Sequence, residues 1–200
     1  MSERAARRLS RDEFRDWCQY QDTSYELVDG VPVAKVAARR AHDRVVVNAL
    51  GALGNQLDGN RFQAFSDGTA VRIPNGNTRR PDVGVDCGQF DPDALAVEAP
   101  RLVLEILSPS TSRFDKLDEY KTVPGLAHII LVDPDAPQAI HWWRGADQTW
   151  RHARHEGLDA AIVVPDLAVT LGLRMLYAGL TLRSRRRLWR EGDETGEAVG

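Results

Sequence analysis

Two carboxylates sit where carboxylates are expensive. Asp82 follows Arg80-Pro81 and opens the apolar run Val83–Val85, and Glu105 lies inside Leu102-Val103-Leu104-Glu105-Ile106-Leu107. An unpaired buried charge costs several kcal/mol, so such groups are normally paired, protonated or bound to a metal. Ser108-Pro109-Ser110-Thr111 comes next, then Lys116 and Lys121. Two acids on neighbouring strands plus a lysine are enough for metal-assisted phosphodiester hydrolysis. Mg²⁺ takes oxygen ligands, typically one or two carboxylates completed by water and substrate phosphate. It polarises the phosphate and acidifies a water, and a nearby ammonium can orient that water or steady the phosphorane charge. Asp82 and Glu105 are the candidate metal ligands, with the Ile106 backbone carbonyl and Glu26 beside them; Glu26 also interrupts an apolar strand.

Each residue has a plainer reading. Asp82 suits a strand-start aspartate, Glu26 a cross-strand ion pair, and Lys116 and Lys121 a solvated helix face. Glu105 resists such a reading because Val103 and Leu107, on its own face, are apolar. His42, in the first turn of a helix, either contacts phosphate or caps. Trp142 and Trp143 read as packing residues rather than base-stacking platforms.

The elements that must position these groups are legible in outline. Residues 1–9 read as a loose arm. Ser10-Arg11-Asp12-Glu13 has the capping-box form and predicts a helix to about residue 19. Asp29-Gly30 between Tyr25–Val28 and Val31–Val36 predicts a hairpin carrying Glu26. Val45, Val46, Ala49, Leu50, Leu53 and Leu57 give a helix over 41–57 one apolar face. Strands are expected at 62–65 and 70–73, joined at Asp67-Gly68, and at 82–86, with a turn at Pro74–Asn77 and a loop over 88–100. A strand (102–107), helix (112–122) and strand (128–132) form a unit that calls for a parallel crossover. A hairpin (139–143 and 149–153) follows. Segment 163–182 has a mixed pattern with no clear element, and 184–200 is charged and expected to be disordered. The fold class is therefore α/β, or α+β with a mixed central sheet flanked by helices. The functional edge should lie at the C-terminal end of the strand bearing Glu105.

Bulk properties narrow the options. The chain has 200 residues, 42% hydrophobic and 28% charged, with a net charge of −3, which argues against a generally basic nucleic-acid binder but leaves room for a local basic cleft. Arginines cluster at 39, 40 and 44, at 72, 79 and 80, and from 183 to 187. Cys18 and Cys87 form no CxxC, which disfavours a zinc ribbon. No apolar stretch reaches membrane-spanning length and the N-terminus lacks a signal-peptide core, so a cytoplasmic location is expected. There is no P-loop or GxGxxG pattern, nor a recognisable nucleophile–histidine motif.

Taken in order, Tyr25-Glu26-Leu27-Val28-Asp29-Gly30, Ala41-His42, Arg80-Pro81-Asp82-Val83, Leu104-Glu105-Ile106-Leu107-Ser108-Pro109-Ser110-Thr111, Lys116-Leu117 with Tyr120, and Leu131-Val132-Asp133-Pro134 resemble the Uma-two family of restriction-endonuclease type, within the PD-(D/E)XK nuclease superfamily. The resemblance covers about residues 10–180. It implies a restriction-endonuclease-like fold over residues 10–183, a Mg²⁺-dependent site (Mn²⁺ as substitute) and a nucleic-acid substrate, DNA first. Asp82 and Glu105 match the two metal-binding acids, Glu26 the acid of the early strand, and Lys116 the helix lysine, since it keeps the four-residue step to Tyr120. Leu107 stands where the wider superfamily has its lysine. The stretch from Thr111 to Lys116 is shorter than in the family, which keeps Lys121 as the alternative lysine. It also keeps open a rival reading, a weak or inactive nucleic-acid- or partner-binding module on the same fold. In the nuclease reading His42, Arg40, Arg80 and Arg113 are the candidate phosphate contacts, and duplex cleavage suggests a homodimer.

Overall fold

The computed structural model describes residues 7–35, 38–57, 61–107 and 113–182. Helix α1 (Arg11–Cys18) begins with the expected capping box: the Glu13 amide donates to Ser10 Oγ at 3.3 Å, and the Ser10 amide to the Glu13 carboxylate at 2.9 Å. Strands β1 (Tyr25–Val28) and β2 (Val31–Ala34) form the hairpin, with Asp29 (φ 49°) and Gly30 (φ 78°) both left-handed, as a two-residue turn of this kind requires. Leu9 donates its amide to the Gly30 carbonyl at 2.7 Å, and a Cβ on Gly30 would lie 2.8 Å from Arg8 Cβ. This end of the expected loose arm is therefore laid against the hairpin. Its first six residues, like the charged segment 184–200, lie outside the described residues.

Helix α2 (Arg40–Leu57) buries Val45, Ala49, Ala52, Leu53 and Leu57 against a six-stranded sheet ordered β10-β9-β8-β7-β6-β3. Its strands are β3 (Gln63–Ser66), β6 (Val83–Asp86), β7 (Pro100–Ile106), β8 (His128–Val132), β9 (Gln138–Arg144) and β10 (Trp150–Glu156). β7 and β8 are parallel, joined through α3 (Arg113–Lys121); every other pair is antiparallel. Alternation along β7 sorts its side chains. Leu102, Leu104 and Ile106 join the α2-side core, while Val103 packs on the other face with Leu117 and Tyr120 of α3. Gly84 exists for packing: a Cβ there would sit 2.2 Å from the ring of Phe65, its cross-strand partner.

A second sheet, ordered β2-β1-β5-β4, adds β4 (Val71–Arg72) and β5 (Thr78–Arg79) to the hairpin. The strands expected around Asp67-Gly68 thus part company, β3 entering the large sheet and β4 the small one. Segment 163–182 resolves into the end of β11 (Ala161–Val164), a 3-10 turn (Pro165–Leu167), β12 (Val169–Gly172) and α4 (Leu173–Leu176); Leu167, Leu171, Leu173 and Leu176 complete the α2-side core. Among the described residues no helix is long and apolar enough to cross a membrane.

Candidate active site

β6 and β7 run antiparallel with Val83 opposite Leu104, so the same register places Asp82, just before β6, beside Glu105 near the C-terminal end of β7. Both are buried. The small sheet closes over them through Glu26 of β1, 5% exposed, and α3 comes down on the same side. Three buried carboxylates from three separate chain segments therefore meet one helix.

Each acid has its own set of partners. Asp82 Oδ2 accepts the Ile106 amide at 2.8 Å and lies 3.2 Å from His42 Nε2; its Oδ1 lies 3.2 Å from Lys35 Nζ. Burial opposes its ionisation, but the His42 hydrogen bond, the Lys35 charge and the Ile106 amide outweigh that and hold its carboxyl below the usual range. Glu26 accepts from Lys116 at 2.9 Å, the Arg80 amide at 3.0 Å and Arg79 at 3.1 Å. Burial again works against the charge, and Lys116, the Arg80 amide and Arg79 prevail, so its pKa is lowered. Glu105 goes the other way. It accepts the Tyr120 hydroxyl at 2.8 Å and lies 3.4 Å from Lys116 Nζ. Yet burial pushes its pKa up, and the charges of Asp82 and Glu26 add to that against the opposing Lys116. Lys116 is desolvated but faces Glu105 and Glu26, and its pKa is raised. Tyr120, wholly buried beside Glu105, has its pKa raised well above that of a free phenol by burial and remains a donor.

A second set of contacts holds these parts together. Arg79 donates to Glu119 of α3 at 2.6 and 2.9 Å, Asn77 Nδ2 donates to Glu119 at 2.7 Å, and Asn77 Oδ1 accepts the Asp29 amide at 2.8 Å. Glu119 and its hydrogen bonds push the Arg79 pKa up despite burial. Arg79 thus bridges Glu26 and Glu119, tying the hairpin to the helix that carries Lys116.

The other sequence candidates fall in different places. Lys121 Nζ sits 3.9 Å above the Trp142 ring centre and 3.6 Å from Asp118, and makes no ion pair with Glu26, Asp82 or Glu105; of the two lysines, Lys116 is the one that reaches the acids. His42 is turned onto Asp82. The Arg80 guanidinium donates to the carbonyls of Tyr25, Asp67 and Gly68 at 3.0, 3.2 and 2.6 Å, so it works as a backbone clamp and makes no ion pair with Glu26, Asp82 or Glu105. Arg40 is exposed at the start of α2. The side chain of Arg113 lies outside the described residues. Ile106 engages Asp82 through its amide, whereas the sequence suggested its carbonyl as a ligand. Lys35, Glu119 and Asn77 were not singled out from the sequence. Only Lys35 left a trace there, as a lone cation near the end of an apolar strand run.

Among the described residues no three His, Cys, Asp or Glu side chains are grouped to hold a metal ion. A Mg²⁺ ion does not need three, because one or two carboxylates with water and phosphate suffice. The charge balance fits such an ion. Among the described residues five carboxylates (Glu26, Asp67, Asp82, Glu105, Glu119) share three cations (Lys35, Lys116, Arg79), and the charges of Asp82 and Glu26 are felt at Glu105. Hard oxygen donors with excess negative charge suit a hard cation.

Residues 11–176 match the Uma2 family, whose description is "Putative restriction endonuclease". An uncharacterized protein of Synechocystis sp. (strain ATCC 27184 / PCC 6803 / Kazusa) is 25% identical over 178 residues, spanning 86% of this chain and 93% of its own. A second from the same organism is 28% identical over 146 residues, spanning 68% and 81%. The crystal structure of a protein from Anabaena variabilis ATCC 29413, described as a "putative nuclease", superposes with a TM-score of 0.68 at 19% identity, covering 84% of this chain and 97% of that one. At that identity the likeness speaks for the fold, a mixed-sheet α/β fold shared with that protein.

Proposed function

Because the chain belongs to the Uma2 family, we propose that it is a metal-dependent endonuclease that hydrolyses phosphodiester bonds in DNA. The observation that carries this reading is the Lys116 ammonium, 2.9 Å from Glu26 and 3.4 Å from Glu105, on the same side as Asp82. Asp82 and Glu105 would hold Mg²⁺ or Mn²⁺, with Glu26 on its water shell. When bound, the ion supplies a Lewis acid for the phosphate and acidifies a water. The chain's own groups supply the rest. Lys116, its pKa raised, stays an ammonium and acts as a donor that orients the attacking water and steadies the phosphorane oxygens; it is not the proton acceptor. His42, Lys35 and the Ile106 amide fix Asp82 in its ionised form. Tyr120 fixes Glu105 Oε1, and Oε2, whose one neighbour among these groups is Lys116 Nζ at 3.5 Å, would face the ligand. The non-catalytic alternative rests on Leu107 in place of the superfamily lysine, on the acidic net charge and on a short connection that would carry the helix lysine out of reach; against the last of these, the position of Nζ beside two acids favours the enzyme. Two such sites, as in a homodimer, would serve duplex cleavage, and a cytoplasmic setting belongs to the same reading.

The test is Mg²⁺-dependent cleavage of duplex and single-stranded DNA by wild type, Asp82→Ala and Glu105→Ala, with folding followed by circular dichroism. Both variants are expected to fold and to lose cleavage by on the order of 100-fold or more, the scale of removing a principal electrostatic group. Undiminished cleavage by both would overturn the assignment.

A further inference from the structure

On the reverse face of the small sheet is a cavity of about 300 Å³ that the acid cluster does not use. Strand alternation separates the two. On β1 and β5, Glu26 and Arg79 face α3, while Thr78 and its cross-strand partner Leu27 face α1. The cavity lies between that face and α1 and is lined by four arginines: Arg11 and Arg15 of α1, Arg72 of β4, and Arg80.

Three of the four charges, those of Arg11, Arg72 and Arg80, have no acidic partner among the described residues. Arg11 donates to the carbonyls of Ile73 (2.5 Å) and Asn77 (3.3 Å), and Arg80 to three others, so both guanidinium groups are oriented by neutral partners. Among the described residues the Arg72 side chain makes no ion pair or hydrogen bond. Arg15 is the exception: Asp12, the carboxylate in the wall and 84% exposed, pairs with it at 3.1 Å, and Asp16 pairs with it at 3.0 Å. The Cys18 thiol, its pKa raised by burial, adds no negative charge.

A second observation is independent of charge. Thr78 lines this cavity and is 6% exposed, and its buried hydroxyl has no hydrogen-bond partner among the described residues. Arg11, another lining residue, also has its Nε buried without a partner among the described residues. Folded proteins rarely leave buried polar atoms unsatisfied, and such atoms mark places where a ligand or water completes the set. Guanidinium forks match phosphate oxygens in pairs. The cavity is larger than a phosphate alone and reaches the lower end of the range for small-molecule sites, roughly 300–1,000 Å³. Phe14 and Leu95 give it an apolar wall against which a base can lie.

We propose that this cavity binds the phosphate monoester of a nucleotide, either free or at the end of a nucleic-acid strand. The proposal does not depend on the nuclease reading. Arg80 is the wall shared by the two sites: its side chain lines the cavity, its amide caps Glu26, and its carbonyl accepts from Lys35 at 2.9 Å.

The experiment is calorimetric titration of 5′-AMP, adenosine, inorganic phosphate, and a short single strand with either a 5′-phosphate or a 5′-hydroxyl into the whole protein. Adenosine is expected to bind at least tenfold more weakly than AMP. A preference for the phosphorylated strand assigns the strand end, and AMP binding without that preference assigns the free nucleotide. Arg72→Gln changes an exposed, unpaired side chain and Thr78→Val is nearly isosteric, so both should fold. Each is expected to weaken AMP or strand-end binding tenfold or more, while Lys121→Met, outside both the cavity and the acid cluster, binds as wild type. No binding by AMP, phosphate or the phosphorylated strand overturns the proposal, as does binding indifferent to both cavity substitutions. Cleavage assays are read separately, so the nuclease reading stands or falls on its own.

Discussion

Tyr120→Phe removes one oxygen atom and tests what holds Glu105. Tyr120 has no solvent exposure and packs between Val103 and Leu131 of the sheet and Leu117 and Leu126 beyond, so the ring has nowhere to go when the hydroxyl is lost. The hydroxyl donates to Glu105 Oε1 at 2.8 Å. A hydrogen bond to a charged group contributes about 1.5–3 kcal/mol, and one between neutral groups about 0.5–1.5 kcal/mol. The cost of the substitution should therefore follow the charge on Glu105. Because the folded pKa of Glu105 is raised, by burial first and by Asp82 and Glu26 next, its contribution to stability is fully present at acid pH and is lost as pH rises through that folded value. Tyr120→Phe takes a donor from the ionised form and pushes the pKa higher still, which deepens the loss on the alkaline side. Asp82 and Glu26 have lowered values and behave oppositely, losing their stabilisation as pH falls, but they are common to both proteins and largely cancel in the difference.

The assay is urea denaturation of metal-free wild type and Tyr120→Phe across the full pH range in which both fold. The expected difference is about 1 kcal/mol at the acid end and about 2–3 kcal/mol at the alkaline end. Repeating it in a Glu105→Gln background should bring the alkaline figure down to the neutral one. A difference that stays constant across the range, or that survives unchanged in the Glu105→Gln background, would show that the phenol stabilises the core by packing alone and that Glu105 is not its client.

The two lysines of α3 should separate cleanly. Lys116→Met is expected to lower cleavage by on the order of 100-fold, the effect of deleting a main electrostatic donor, while Lys121→Met, whose ammonium lies over Trp142, leaves the rate within about threefold, both read by single-turnover kinetics. Equal losses would mean that the helix presents its other face to substrate. Gly84→Ala should cost about 1–3 kcal/mol in urea denaturation, since the new methyl falls inside the Phe65 ring; an unchanged midpoint would mean that β3 yields freely.

Much of this arrangement is written locally in the chain. A glutamate inside an apolar strand announces a buried charge without help from any other residue, and Asp29-Gly30 dictates its turn through two left-handed residues. The spacing of Val45, Ala49 and Leu53 places the α2 face. What the sequence hides is of two kinds. A two-residue strand such as β5 is too short to show any period, so the small sheet was invisible and β3 and β4 could not be assigned to different sheets. Long-range charge partners are hidden too. Glu119 sits among polar neighbours and looks solvent-facing, and Lys35, a lone cation in an apolar run, gives no hint of its partner; their roles emerge only when Arg79 and Asp82 arrive from elsewhere in the chain. Sequence patterns report the cost of burying a charge, because that cost falls on one residue and its neighbours. They do not report what offsets it, since the offset is an ion pair closed by tertiary structure. The same reasoning explains why Glu105 was the easiest residue to find and is the least well compensated in the fold. Its direct partners, Lys116 and Tyr120, both come from α3, Lys116 is shared with Glu26, and the adjacent Asp82 adds like charge, so a part of its charge is left for a ligand to neutralise.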